Sequence, residues 1–251
     1  MFFQKDSFRQ MIEYCTDRDW FLAMSSGGAG TLGSSFMSPG TNGFAVPDGL
    51  RAYDPNATLL ALQSIGYRDV DNDGYLEYGT REKELVITIC TSSRDDWAAT
   101  AATILSSDLE ELGVRVNWRK TDGDVTSICG ARDNWDICMY SWKCSPVAAV
   151  ASATFQEDVG ALTGWQSAEL EGQQIMLRSA EEQEAIGGYA RQVQQTVYNA
   201  CPVIVLAYGA DIQAIRSDIW TGYETQLSAG GLFGMGTPAV YMNVEPWETV
   251  G

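Results

Sequence analysis

Histidine is absent from all 251 residues. With it go Ser-His-Asp and Cys-His nucleophilic sites, imidazole-ligated zinc and any histidine pH switch. Basic residues are scarce: 16 Lys and Arg stand against 33 Asp and Glu, a formal net charge of -17. A surface of that sign does not neutralise phosphates, so nucleic acid and anionic membranes are poor partners. No apolar run approaches the roughly 20 residues that span a bilayer. The opening MFFQKD lacks the sustained apolar segment and cleavage site of a signal peptide. The six cysteines (Cys15, Cys90, Cys129, Cys138, Cys144 and Cys201) include no C-x-x-C pair, which argues against an all-thiolate metal site. Cys90 and Cys138 lie in apolar runs and read as small buried hydrophobes, while Cys129, Cys138 and Cys144 are close enough for one disulfide. With 45% apolar and 20% charged residues, the chain is a folded one, not a disordered one.

What is there centres on residues 85–142. Residues 85–91 (LVITICT) are apolar and β-branched with no polar alternation, as in a strand covered on both faces. Asp95 can cap a following helix, with Asp96 in its first turn. Trp97, Ala101, Leu105, Leu109 and Leu112 recur at helical spacing, and Gly113 suits a left-handed C-terminal position. Residues 114–119 and 135–142 read as two more strands. A strand, a crossover helix of this length and another strand make a right-handed βαβ unit, so the sheet is at least partly parallel.

On either side the pattern is less regular. Residues 7–24 read as one helix ended by Gly27-Gly28, and the Gly-, Ser- and Pro-rich stretch up to Leu50 as an irregular loop. That stretch has no phosphate-binding glycine motif. Asp54-Pro55 opens a helix that stops at Gly66. Asp69, Asp71 and Asp73 with Gly74 match the first half of a calcium loop, but Thr80 stands where the bidentate Glu belongs, which favours an Asx-rich turn over a calcium site. Downstream, residues 148–155 read as a short helix, and 167–180 and 181–200 as amphipathic helices. Residues 203–208 and 212–215 read as a strand pair, and 240–244 as an apolar segment in an otherwise irregular tail.

Several stretches also resemble one family. FRQMIEYCTDRD at residues 8–19 is similar to the "vRqAiayaiDRe" helix of the family 5 extracellular solute-binding proteins. Tyr53-Asp-Pro-Asn-Ala57, with Leu60 to Tyr67, resembles "yDpekAkaLLdeaGy", and the Asp69 turn resembles "d.dgDG". LEELGVRV at 109–116 looks like "Lk.iGI.v", and Trp135-Asp136 to Trp142 looks like "fDi...gW". Residues 164–170 and 189–204 are similar to the family's later motifs. Seven fragments in order cover about nine tenths of the chain. The resemblance implies an α/β, periplasmic-binding-protein-like lobe with a mixed, partly parallel sheet flanked by helices. It implies that residues 1–251 are the C-terminal lobe of a two-lobe receptor, with a core over 54–216 and an irregular tail over 217–251, and that the N-terminal lobe and signal peptide are absent. It further implies a monomeric component of an ABC importer, working with that importer's membrane subunits and located extracellularly, at the cell surface or in the periplasm, with a lipid anchor in the full-length protein. No cofactor is expected.

In an open α/β sheet, ligands approach the carboxyl ends of the strands. That points to Ser92 after the first core strand and to Tyr140, Trp142, Lys143, Cys144 and Ser145 after the third: stacking area, a charge and hydroxyls, as a pocket for a peptide or small solute requires. Trp142 equally suits a residue that closes the core at the strand end. Peptide-binding relatives carry an aspartate shortly after this Trp to pair with the ligand's ammonium, whereas Ser145 stands there and no acid follows until Glu157. A capped peptide, a sugar oligomer or another uncharged solute therefore fits better than a free peptide N-terminus. Two other readings are a carboxylate-dependent secreted glycoside hydrolase using residues such as Asp95, Asp96, Asp122 and Asp124, and a calcium-stabilised surface module.

Overall fold

The computed structural model describes residues 5–79, 83–123, 135–210, 218–222 and 245–246. It divides into two units, Met1–Tyr208 and Gly209–Gly251. In the first, β4 (Val86–Ser92) is the central strand of a three-stranded sheet. It pairs in parallel with β5 (Arg115–Thr121) on one side and β6 (Ile137–Met139) on the other. The connection from β4 to β5 is α4 (Asp96–Glu111), capped by Asp95, whose carboxylate accepts from the Ala98 amide at 2.9 Å. Ala98, Ala101, Ala102, Leu105 and Leu109 bury one face of α4, with the small alanines letting the helix lie close to the strands. Burying each leucine stabilises the fold by roughly 1.5–3 kcal/mol.

Those leucines join a core with Ile87 and Ile89 of β4 and with Phe8, Met11 and Ile12 of α1 (Asp6–Tyr14). Leu62 of α3 (Pro55–Ser64) completes it; Asp54 caps α3 and Pro55 occupies its first turn. The expected helix over 7–24 is in fact two, α1 and α2 (Arg18–Ser26). The break falls at residues 15–17, where the Asp17 side chain accepts from the Trp20 amide and starts a new helix. A good N-cap inside an apolar-periodic stretch outweighed the periodicity. Gly27 then ends α2 in the left-handed conformation.

A second core gathers three helices, α5 (Ala148–Thr163), α6 (Ala168–Ser179) and α7 (Gln183–Ala200). The helix expected over 148–155 runs two turns further, because Val159 and Leu162 continue the buried face and Gly164 supplies the left-handed stop. The third core strand is shorter than the expected 135–142: only Ile137–Met139 pair.

The glycine-rich stretch after α2 is irregular but anchored. β1 (Thr31–Leu32) pairs antiparallel with β7 (Ala207–Tyr208). Gly33 has no room for a side chain, since a Cβ there would sit 2.2 Å from the Val205 carbonyl oxygen. Gln194 of α7, almost fully buried, uses all its bonding capacity on this stretch and its own helix. Its oxygen accepts from Ser35 Oγ and the Ala45 amide, and its nitrogen donates to the Gly43 and Ala190 carbonyls.

Between α3 and β4, β2 (Tyr67–Arg68) and β3 (Glu77–Tyr78) form a small antiparallel pair around the Asp-rich turn. Gly113 touches that turn: its φ is +79°, and a Cβ would lie 2.8 Å from the Gly74 carbonyl oxygen. In the second unit, β8 (Trp220–Thr221) pairs antiparallel with β9 (Glu245–Pro246). The strand expected at 212–215 and the segment 240–244 lie outside the described residues.

Candidate functional site at the strand ends

The parallel strands put their carboxyl ends side by side. Ser92, at the end of β4, is buried and donates through Oγ to the Gly123 carbonyl at 2.7 Å. Ser93 Oγ donates to Asp122 at 2.5 Å, and the Ser93 amide to the Thr121 carbonyl. The loop after β4 is thereby bound to the loop after β5. Asp95 binds it to the segment after β6. The same carboxylate that caps α4 accepts from the Ser141 amide at 2.7 Å and from Ser141 Oγ at 3.2 Å. Ser92's loop and the 140–145 segment therefore meet, and Asp95 is the residue that joins them.

Along that segment, Tyr140, Trp142, Cys144 and Ser145 are half-buried and Lys143 is exposed. Trp142 leans on the second core. Its ring lies 6.5 Å from Phe36 and 6.1 Å from Phe155, and those two are 4.2 Å apart. Its indole N–H donates to Asp158 Oδ2 at 3.2 Å. Trp142 thus packs on the core while remaining half-exposed. In sequence no acid follows this tryptophan until Glu157, but α5 folds back and brings Asp158 to it from sixteen positions downstream.

Sequence reasoning missed the wall behind the segment. Thr41 Oγ1 donates to the Ser145 carbonyl at 2.8 Å and lies 3.3 Å from Cys144 Sγ. The Asn42 amide donates to the Pro146 carbonyl, and Asn42 Oδ1 accepts from the Ala148 amide, capping α5. Nothing in the glycine-rich composition announces this role. The Ser-Pro-Gly-Thr-Asn run was the one available hint, as turn chemistry that exposes directed polar groups.

A separate groove lies between α5 and α6. It holds about 660 Å³ and is lined by Gln156, Glu157, Glu171, Gln174, Ile175 and Arg178 among others. It lacks the strand-end setting that binding in an α/β sheet favours.

The Asp-rich turn gathers Asp69, Asp71, Asp73 and Glu77, with one carboxylate oxygen of each within 4.8 Å of the others. Glu77 joins from β3, where it is buried; Thr80 lies outside the described residues. Much of the cluster's capacity is used internally. Asp71 accepts from the Asp73 amide, Asp73 from Tyr75, Asp69 from Gly74, and Glu77 from Val70. The Asp71 and Asp73 bonds are Asx-turn bonds, and those of Asp69 and Glu77 tie the two ends of the turn together. Of the carboxylates a hydrolase could use, Asp95 is occupied as cap and tether and Asp122 bonds Ser93, while Asp124 lies outside the described residues. The disulfide read from Cys129, Cys138 and Cys144 lies partly outside them as well; Cys138 and Cys144 are not joined to each other.

Residues 1–155 match the model for bacterial extracellular solute-binding proteins, family 5 (middle region). The chain belongs to that family. Family 5 proteins bind solutes and are not enzymes as a class. No curated protein matches the chain. Among solved structures, it is similar to the oligopeptide-binding protein AppA of Bacillus subtilis, in complex with a nonapeptide: TM-score 0.68, 18% identity, 83% of this chain and 42% of that one. It is similar to the periplasmic oligopeptide-binding protein of Thermotoga maritima, bound to mannohexaose: TM-score 0.69, 16% identity, 96% of this chain and 49% of that one. It is also similar to NikZ of Campylobacter jejuni, in complex with Ni(L-His): TM-score 0.69, 18% identity, 83% and 42%. The family 5 fold, a parallel sheet flanked by helices in the periplasmic-binding-protein manner, is thus the fold of this chain. The chain spans less than half the length of each of these three structures.

Proposed function

We propose that the chain is the C-terminal lobe of a two-lobe receptor that captures a peptide or similar small solute for the membrane subunits of an ABC importer. The observation that carries this reading is the convergence of the loops after β4, β5 and β6 on one sheet end, in a family 5 chain under half the length of its structural neighbours. A companion lobe supplies the opposite wall, and ligand bridging the two stabilises the closed state through its differential affinity. Residues 1–251 form this lobe, its core built from residues on both sides of position 54, Phe8, Met11 and Ile12 among them. The receptor is a monomer, works outside the cytoplasmic membrane and is held there by a lipid anchor.

Tyr140 and Trp142 provide stacking area, Lys143 an exposed charge, and Cys144, Ser145 and Ser92 a polar rim. Neighbours in the same fold hold a nonapeptide, mannohexaose or Ni(L-His), so the fold by itself selects no ligand class. Ser145 in place of an acid, and the engagement of Asp95 with Ser141, favour a solute without a free ammonium, although the exposed Asp158 carboxylate beside Trp142 offers such an ammonium an acid. The test is Trp142→Ala in the two-lobe protein, titrated with an N-acetylated peptide or an oligosaccharide. We expect affinity to fall at least about tenfold, roughly 1.4 kcal/mol. Ile175→Ala, in the groove between α5 and α6, should leave affinity unchanged. The reverse pattern would move the binding site to that groove.

A further inference from the structure

Cys90 and Cys138 stand opposite each other in the parallel pairing of β4 and β6. Register partners on neighbouring strands send their side chains to the same face, and such strands run about 4.8 Å apart. That spacing falls within the Cα–Cα range of about 4.4–6.8 Å that a disulfide spans. The register is fixed on both sides of the pair. Before it, the Asp136 amide donates to the Thr88 carbonyl at 2.9 Å, and the Thr88 amide to the Asp136 carboxylate at 2.8 Å. After it, the Ser141 amide is held by Asp95. Ile89 and Thr91, with their partners Ile137 and Met139, occupy the opposite face of the sheet from the two cysteines. Cys90 is buried and Cys138 half-buried, in a protein of an extracellular family. Outside the cytosol such thiols meet oxidising conditions.

We propose that Cys90 and Cys138 form a redox-labile dithiol, closing to a disulfide across β4 and β6 by exchange with a small-molecule disulfide such as oxidised glutathione. The more accessible Cys138 loses its proton, and its thiolate attacks one glutathione sulfur. A protein–glutathione bond forms as the glutathione S–S bond breaks, and one glutathione thiolate leaves. Cys90, likewise deprotonated, then attacks the Cys138 sulfur and expels the second glutathione thiolate. Two protein thiols are oxidised, one glutathione disulfide is reduced to two thiols, and the two released protons are taken up by the leaving thiolates.

Side-by-side strand positions hold Cβ atoms further apart than the roughly 3.8 Å a relaxed disulfide prefers, so closure draws β6 inward and leaves a bond that is easily reduced. β6 has only three paired residues and runs straight into Tyr140 and Trp142. The oxidation state of the pair therefore acts on the segment placed at the binding surface above. The disulfide itself does not depend on what that surface binds.

The test is to incubate the folded protein with oxidised glutathione, block remaining thiols, and map unreduced peptides by mass spectrometry. We expect a Cys90–Cys138 link, reversed by dithiothreitol without unfolding. Cys90→Ser should abolish it and leave glutathione on Cys138. Amide exchange over residues 137–145 should slow in the oxidised form. A glutathione adduct on Cys138 of the unsubstituted chain with no link to Cys90 overturns the proposal. So does a link from Cys138 to Cys129 or Cys144, or one that forms only after denaturation. Unchanged exchange over 137–145 overturns the coupling to the binding segment.

Discussion

Replacing Glu13 with alanine should destabilise the protein by about 3–5 kcal/mol, the cost of breaking a buried ion pair from one side. Glu13, on α1, is 2% exposed, and each of its oxygens meets a different arginine. Oε1 accepts from Arg18 at 2.5 Å and Oε2 from Arg51, whose side chains are only 12% and 10% exposed. Arg18 also donates to the Val205 carbonyl, and the Arg51 guanidinium lies over the Tyr198 ring, 4.4 Å from its centre, so neither arginine can swing into water without breaking further contacts. Alanine would leave two guanidinium groups facing each other in a nearly dry space. For a chain of this length the loss corresponds to a fall in Tm of about 6–20 °C. Thermal unfolding followed by circular dichroism measures it. Glu13→Gln, which keeps the shape and one acceptor, should cost less than alanine. Because the cluster is buried, adding salt should change the Glu13→Ala cost little. The reasoning fails if alanine costs under about 1 kcal/mol, the range of an exposed pair, or if salt abolishes the difference.

Other groups give sharper, smaller tests. Asp108 on α4 has its pKa raised, first by burial and then by the charges of Asp17 and Glu111. A raised carboxyl favours folding only at acid pH and loses that contribution as pH climbs through the folded-state value. Asp108→Asn should therefore stabilise the protein at neutral pH, with the gain vanishing on acidification; a gain independent of pH, read from denaturant midpoints, would contradict this. Burial pushes the thiols of Cys15 and Cys201 up to about 12. At pH 8 iodoacetamide should label the half-buried Cys144 and spare both until the chain unfolds; early labelling of either, seen by peptide mapping, would refute it. Because bonds within the Asp69–Glu77 turn already hold it together, a chelator should leave Tm unchanged. A calcium-dependent rise in Tm lost in Asp71→Ala would instead support the calcium-stabilised module.

Those residues also mark what a reader of the bare sequence can and cannot see. The βαβ centre was legible because its signals are local and agree: an apolar strand, the Asp95 cap, leucines at helical spacing and Gly113 as stop. The family motifs added the lobe's fold, while the apolar run at 135–142 and the rule for open α/β sheets pointed to Trp142. Contacts made by long-range return were hidden. Asp158 reaches Trp142 only because α5 folds back. Thr41 and Asn42 brace residues 145–148 across a hundred positions, and Gln194 holds the 35–45 stretch from the far end of the second core. Nothing in the sequence links Glu13 to its two arginines, one on α2 and one in the irregular stretch before α3. The α1–α2 break was readable from Asp17, but periodicity spoke louder over residues 7–24.

The central claim is that this chain is half of a clamp. The most direct measurement is a calorimetric titration of one solute, an N-acetylated oligopeptide or a mannose oligomer, into the isolated chain and into the chain joined to its companion lobe. Tight binding only with both lobes present, and weak or no heat from the isolated chain, is the predicted result. Micromolar or tighter binding to the isolated chain would contradict it.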